Sequence, residues 1–134
     1  MPSKIFVNLP VTNLERSMSF FKKLGYEFNP QFTDETAACM VISPDIYAML
    51  LTTDKFKTFT DKPVADAKKS CEVLIALSFD SRDAVTRAVE TALANGGRRY
   101  AQPNDHGFMY QWGFEDPDGH VWECFWMDPA HVQQ

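Results

Sequence analysis

Ile5-Phe6-Val7-Asn8-Leu9-Pro10-Val11 and Val73-Leu74-Ile75-Ala76-Leu77-Ser78-Phe79 are one pattern written twice, at a constant offset of 68 residues. Ile5, Val7, Leu9 and Val11 fall on Val73, Ile75, Leu77 and Phe79, so four alternate positions are apolar in both segments. Alternation of that kind is the signature of a strand with one face against a core. The same offset carries Thr12 onto Asp80, each a candidate N-cap for the amphipathic helix that follows. The helices are expected to stop at Gly25 and at Gly96-Gly97, where glycine suits the left-handed residue that ends a helix. A repeated strand, cap, helix and glycine predicts two equivalent modules, and paired modules offer a ligand site between them.

Working outward, Thr12-Asn13-Leu14-Glu15 has capping-box spacing, and Leu14, Met18, Phe21 and Leu24 recur at helical intervals. Tyr26 to Pro30 reads as a short strand. Ala37 to Ile42 and Ile46 to Thr52 read as two more, around a turn at Ser43-Pro44-Asp45. The second module repeats the order. Its helix carries Val85, Ala88, Val89, Ala92 and Leu93, and Arg98 to Gln102 form a short strand. Residues 103–107 form a turn, and Phe108 to Phe114 and Val121 to Met127 are the last strands, joined by the turn Asp116-Pro117-Asp118-Gly119. The fold class is therefore α+β: two βαβββ modules forming a cupped mixed sheet with helices on the outer face. Module one spans about 4–52, the connection 53–72 and module two about 73–128, all within a single domain over 1–134. The connection is charged and reads as a surface loop or short helix. The polar tail from Asp128 to Gln134 is expected to fray.

Bulk composition narrows the partners. Apolar residues at 45% and charged residues at 23% suit an ordinary globular chain. A net charge of −5 without a basic cluster argues against nucleic acid and anionic membranes. No apolar run approaches the roughly 20 residues needed to cross a bilayer. Met-Pro-Ser-Lys leads straight into the first strand, which predicts no signal peptide. Cys39, Cys71 and Cys124 are odd in number and lack metal-type spacing, as expected of reduced thiols in the cytoplasm.

Alternation also assigns faces. Phe6, Asn8 and Pro10, and Leu74, Ala76 and Ser78, should point away from the helices. In the last strand Trp122, Cys124 and Trp126 take the helix side, and Val121, Glu123 and Phe125 the other. Glu123 is a carboxylate amid aromatics, costly unless paired, hydrated or metal-bound. A structural partner and a functional role both remain open for it. Phe6, Tyr110, Trp112 and Phe125, with Asn8, Leu74 and Glu123, are the candidate ligand-binding residues. The alternative is that these aromatics simply fill a core. His106 lies in the turn before Tyr110 and is a second catalytic candidate beside Glu123, or a structural histidine. His120 is expected at the solvent-facing side of its turn.

The run Val11 to Gly25 (Val-x-Asn-Leu-x-Arg-Ser-x-x-Phe-Phe-x-x-Leu-Gly) and the run Asp116 to Glu123 (Asp-Pro-Asp-Gly-His-x-Trp-Glu) resemble the vicinal oxygen chelate superfamily. Glyoxalase I, bleomycin-resistance proteins and extradiol dioxygenases belong to it. In metal-using members the resemblance implies a divalent ion held by the first strand of each module and by the last strands. Glu123 matches the last-strand carboxylate. The first-strand positions fall on Phe6 and Leu74, and the module-one counterpart of Glu123 falls on Ala48 or Met49. The resemblance therefore implies a small-molecule binder, as a homodimer, with no metal cofactor expected. The alternative it implies is a metal-dependent lyase, isomerase or dioxygenase that uses Glu123 and a divalent ion.

Overall fold

A computed structural model describes residues 3–131. It divides into two compact units, Met1–Ala65 and Asp66–Gln134, and the boundary lies inside the expected connection. The first unit runs β1 (Ile5–Val11), α1 (Leu14–Lys23), β2 (Glu27–Phe28), β3 (Ala37–Ser43), β4 (Ile46–Thr52) and a short α2 (Thr53–Phe56). The second runs β5 (Leu74–Ser78), α3 (Arg82–Ala94), β6 (Arg98–Arg99), β7 (Asn104–Asp105), β8 (Met109–Glu115) and β9 (Val121–Met127).

Each unit closes its own mixed sheet, in the orders β1-β4-β3-β2 and β5-β9-β8-β6, with β7 paired beside β8. Matched element by element, these are the same order. In both, the first strand pairs parallel with the last, and the last two strands form an antiparallel hairpin. The sequence repeat is thus a repeat of topology. The one addition is β7, which pairs Asn104 with Gln111 and Asp105 with Tyr110 where a turn was expected.

The caps sit one residue later than expected. Asn13, not Thr12, opens α1: its backbone is extended and its Oδ1 accepts from the Arg16 amide at 3.0 Å. Thr12 instead receives a bond from the Arg16 guanidinium at 2.9 Å. Ser81, not Asp80, opens α3, with its Oγ accepting from the Ala84 amide at 3.0 Å. Asn13 and Ser81 preserve the offset, so the repeat extends to the capping chemistry. The buried stripe of α1 is Leu14, Ser17, Phe20 and Phe21, with Met18 only half-buried. It packs over β3 and β4, against Leu9, Ala38, Met40, Ala48 and Leu50. In the second unit Val85, Val89 and Ala92 of α3 cover Trp112, Phe114, Trp122 and Cys124. Each large side chain so buried contributes roughly 1.5–3 kcal/mol.

The turn between β8 and β9 is held by one carboxylate. Asp116 is 2% exposed. Its Oδ1 accepts from the amides of Asp118 (2.9 Å) and His120 (3.0 Å), and its Oδ2 from the Trp122 indole (3.0 Å). Burial pushes the Asp116 carboxyl above its ordinary range, against the pull of His120, the indole and the two amides. Gly119 adopts φ of 91°, and a Cβ there would lie 2.8 Å from the Lys68 amide. The end of the connection therefore packs on this turn at Gly119, and His120 is only 9% exposed, which corrects the expectation that it faces solvent. Of the tail, residues 129–131 form a 3-10 turn, with His131 stacked on Phe108 at 4.5 Å. The remaining tail residues lie outside the described residues.

Asp116→Ala leaves three buried donors without their acceptor and should cost about 2–4 kcal/mol in urea unfolding. Asp116→Asn keeps one acceptor and should cost less. Equal, negligible losses would show that the carboxylate does not hold the turn.

Candidate functional site

Register decides which side chains share a face. In an antiparallel or parallel ladder, directly paired residues point to the same side. In the second unit Trp122 pairs with Phe114, Cys124 with Trp112 and Trp126 with Tyr110, and all lie on the side that α3 covers. The helix-free side is built in three rows across β5, β9 and β8. These are Leu74-Val121-Glu115, Ala76-Glu123-Gly113 and Ser78-Phe125-Gln111. Arg98 of β6 extends the first row beside Glu115.

The placement of Tyr110 and Trp112 is a correction. Both lie on the α3 side, opposite to Glu123 and Phe125. Tyr110 receives a bond from the Thr86 hydroxyl of α3 (3.4 Å), and the Arg82 guanidinium lies 5.6 Å from its ring and 5.1 Å from that of Trp126. Arg82 also bonds Asp105 and the Gly107 carbonyl, each at 2.6 Å, tying α3 to the β7–β8 turn. That bond to Arg82 holds the Asp105 carboxyl below its ordinary range. Trp112 is 9% exposed and donates its indole N–H to the Ala101 carbonyl at 2.9 Å. These rings are structural.

His106 is a second correction. Its amide donates to Met109, at the far end of β8 from Gly113. Four residues of strand separate Met109 from Gly113, about 13 Å, so His106 does not meet Glu123.

Glu123 lies at the centre of the helix-free face. It is half-buried, on a strand paired along both edges, with the two smallest side chains, Ala76 and Gly113, on either hand. A Cβ at Gly113 would lie 2.9 Å from the Trp122 carbonyl oxygen, so only glycine fits at this buried position beside Glu123. Among the described residues, the Glu123 carboxylate has no hydrogen-bond or ion-pair partner. Its charge is felt next door: burial first, then Glu123, pushes the Cys124 thiol up to about 12.

In the first unit Phe6 pairs with Tyr47 and Asn8 with Met49, on the side away from α1. Phe6 and Tyr47 stack at 4.6 Å and 9°, and Phe6 is 48% exposed. Tyr47 is an aromatic that strand alternation alone did not single out; the pairing with Phe6 reveals it. The ladder also settles the counterpart of Glu123. Asn8 corresponds to Ala76, and their partners are Met49 and Glu123, so the equivalent residue is Met49.

The positions that the sequence resemblance implies for metal ligands hold Phe6 and Met49 in the first unit and Leu74 and Glu123 in the second. One carboxylate is the only hard donor among them, whereas divalent ions take three or more protein or water oxygens and nitrogens in a set geometry. Among the described residues no three His, Cys, Asp or Glu side chains gather at metal-binding distance. The residues present do not fit a divalent centre of the superfamily type.

The family model described as bleomycin resistance protein-like N-terminal matches residues 4–43. Among solved structures, a hypothetical protein from S. aureus is 26% identical, with a TM-score of 0.78 over 93% of this chain and 94% of that one. A glyoxalase-related enzyme from Fulvimarina pelagi is 17% identical, with a TM-score of 0.78 over 94% of this chain and 88% of that one. The chain has the vicinal oxygen chelate fold. The fosfomycin resistance protein FosX from Mesorhizobium loti shares that fold at 15% identity, with a TM-score of 0.69 over 97% and 96% of the two chains. A search of curated proteins finds no match. The vicinal oxygen chelate resemblance seen in Val11 to Gly25 and Asp116 to Glu123 is therefore borne out for the fold. No described helix is long and apolar enough to cross a membrane.

All three cysteines are free, with Cys39 and Cys124 buried and Cys71 exposed. Burial raises the Cys39 thiol as it does that of Cys124. Raised thiols carry little thiolate near neutrality, so a thiol reagent at pH 8 should label one cysteine fast, Cys71, and the others only on unfolding. Rapid native labelling of Cys124 would contradict this packing.

Proposed function

We propose that this protein binds a small organic ligand, without a tightly held metal, on the helix-free face of its second unit through Leu74, Glu123 and Phe125, with Phe6 and Asn8 as the candidate contacts on the corresponding face of the first unit. The observation that carries the proposal is the set Phe6, Met49, Leu74 and Glu123 at the positions where related metalloenzymes need ligand atoms. Exposed apolar groups beside a few polar ones are what small-molecule sites are made of. Phe6 and Leu74 are 48% and 49% exposed, large apolar side chains displayed at the starts of β1 and β5. Bleomycin resistance-like and glyoxalase-related neighbours make small molecules the natural class of partner. A cytoplasmic homodimer is part of the proposal, since Ile5, Phe6, Val73 and Leu74 are exposed apolar residues on or beside β1 and β5, the end strands of their sheets.

Thermal-shift screening of a panel of uncharged, anionic and cationic aromatic metabolites tests the proposal. A saturating ligand at about 100 times its Kd should stabilise by about 2.7 kcal/mol. Leu74→Asp and Phe125→Ala should abolish that shift while leaving the unliganded midpoint within about 1 kcal/mol in the case of the exposed Leu74. A panel without a single saturable shift, or shifts indifferent to both substitutions, would refute the site. Light scattering should give twice the chain mass; a monomer would remove the dimer from the proposal.

A further inference from the structure

We infer that the ligand carries an organic ammonium or amidinium group, and that Glu123 is its seat. This rests on the ligand-binding reading above and adds the charge of what is bound.

Three observations converge on the inference. The first is that Glu123 is uncompensated. The other carboxylate on the same face, Glu115, stands opposite Arg98 in the β6–β8 ladder, but Glu123 is flanked by Ala76 and Gly113. The helix-free positions of β5, β8 and β9 include no Lys or Arg. A half-buried carboxylate without a partner is a standing cost in the free protein, and a ligand cation relieves it.

The second observation is space. Ala76 is exposed and leaves one side of the carboxylate open, whereas Gly113 is buried and its backbone lies too close to Trp122 for even a methyl group. Above and below the carboxylate stand Val121 and Phe125, one 5% exposed and the other half-buried. An ammonium group on a short apolar or aromatic stem matches this layout, with its charge on Glu123 and its stem against Phe125.

The third is donor count, which separates an organic cation from a metal ion. An ammonium is satisfied by one carboxylate plus water or carbonyl oxygens, whereas a divalent ion needs several ligands that the row neighbours Ala76 and Gly113 do not supply. Glu123 stands at the matching ligand position of metal-using relatives. Its counterion here is organic.

Two probes of the same shape, 2-phenylethylamine and 2-phenylethanol, test this by amide NMR titration of the full chain. The amine should shift the amides of Ala76, Gly113, Glu123 and Phe125 and bind about five- to tenfold more tightly than the alcohol. In Glu123→Gln that preference should shrink to about twofold or less, and in Glu123→Asp it should partly persist. Added salt should weaken the amine and leave the alcohol unchanged. Equal binding of both probes at these amides, or an amine preference that survives Glu123→Gln, would overturn the ammonium seat while leaving the ligand face intact. If neither probe moves those amides while both variants stay folded, the ligand face itself fails, and the inference with it.

Discussion

The register of the β8–β9 hairpin is the constraint on which the rest depends. Side chains alternate along a strand, so a slip of one residue would carry every side chain of β9 to the opposite face. Trp122 and Cys124 would leave the core under α3, and Glu123 would enter it, where an unpaired carboxylate costs several kcal/mol. Asp116 prevents the slip. It collects the amides of Asp118 and His120 and the indole of Trp122, so the turn and the first core residue of β9 are fixed by the same two oxygens. Gly119 lets the end of the connection approach to contact distance and seal the turn. The Asp-Pro-Asp-Gly-His-x-Trp-Glu run thus divides its labour: all but its last residue serve architecture, and Glu123 is left to meet the solvent side.

Much of this was legible in the chain. The 68-residue repeat anticipated two modules of the same strand order, and β4 and β9 occur over the residues expected of them. The alternation of β1 and β9 gave correct faces because each strand was read against its own pattern. Tyr110 and Trp112 went to the wrong face because β8 was never registered against β9. The five residues between the two strands place Tyr110 opposite Trp126 and Trp112 opposite Cys124, which fixes their side once Trp126 is assigned to the helix. That inference needs only turn length. The caps were missed by one residue at both helices, where adjacent polar residues, Thr12-Asn13 and Asp80-Ser81, compete and helix geometry selects the second. The approach of residues 67 and 68 to Gly119 was not legible, since no local pattern encodes that contact.

A shared scaffold with different side chains at its ligand positions changes chemistry without changing fold. Phe6 and Tyr47 stack where a metalloenzyme would offer a nitrogen, and Leu74 and Met49 offer neither charge nor a hard donor. The cost of leaving Glu123 unpaired in the free protein is of the kind retained at functional positions.

The central claim is that Glu123 is unpaired among the described residues and that its row neighbours, Ala76 and Gly113, offer no side-chain donor. Amide NMR with one equivalent of Mn2+ tests it most directly, because the ion broadens whatever lies near its site. We expect weak broadening that does not saturate and is not centred on Ala76, Gly113 and Glu123. Saturable broadening focused on those three amides, lost in Glu123→Gln, would mean that other donors complete a metal centre, and would contradict it.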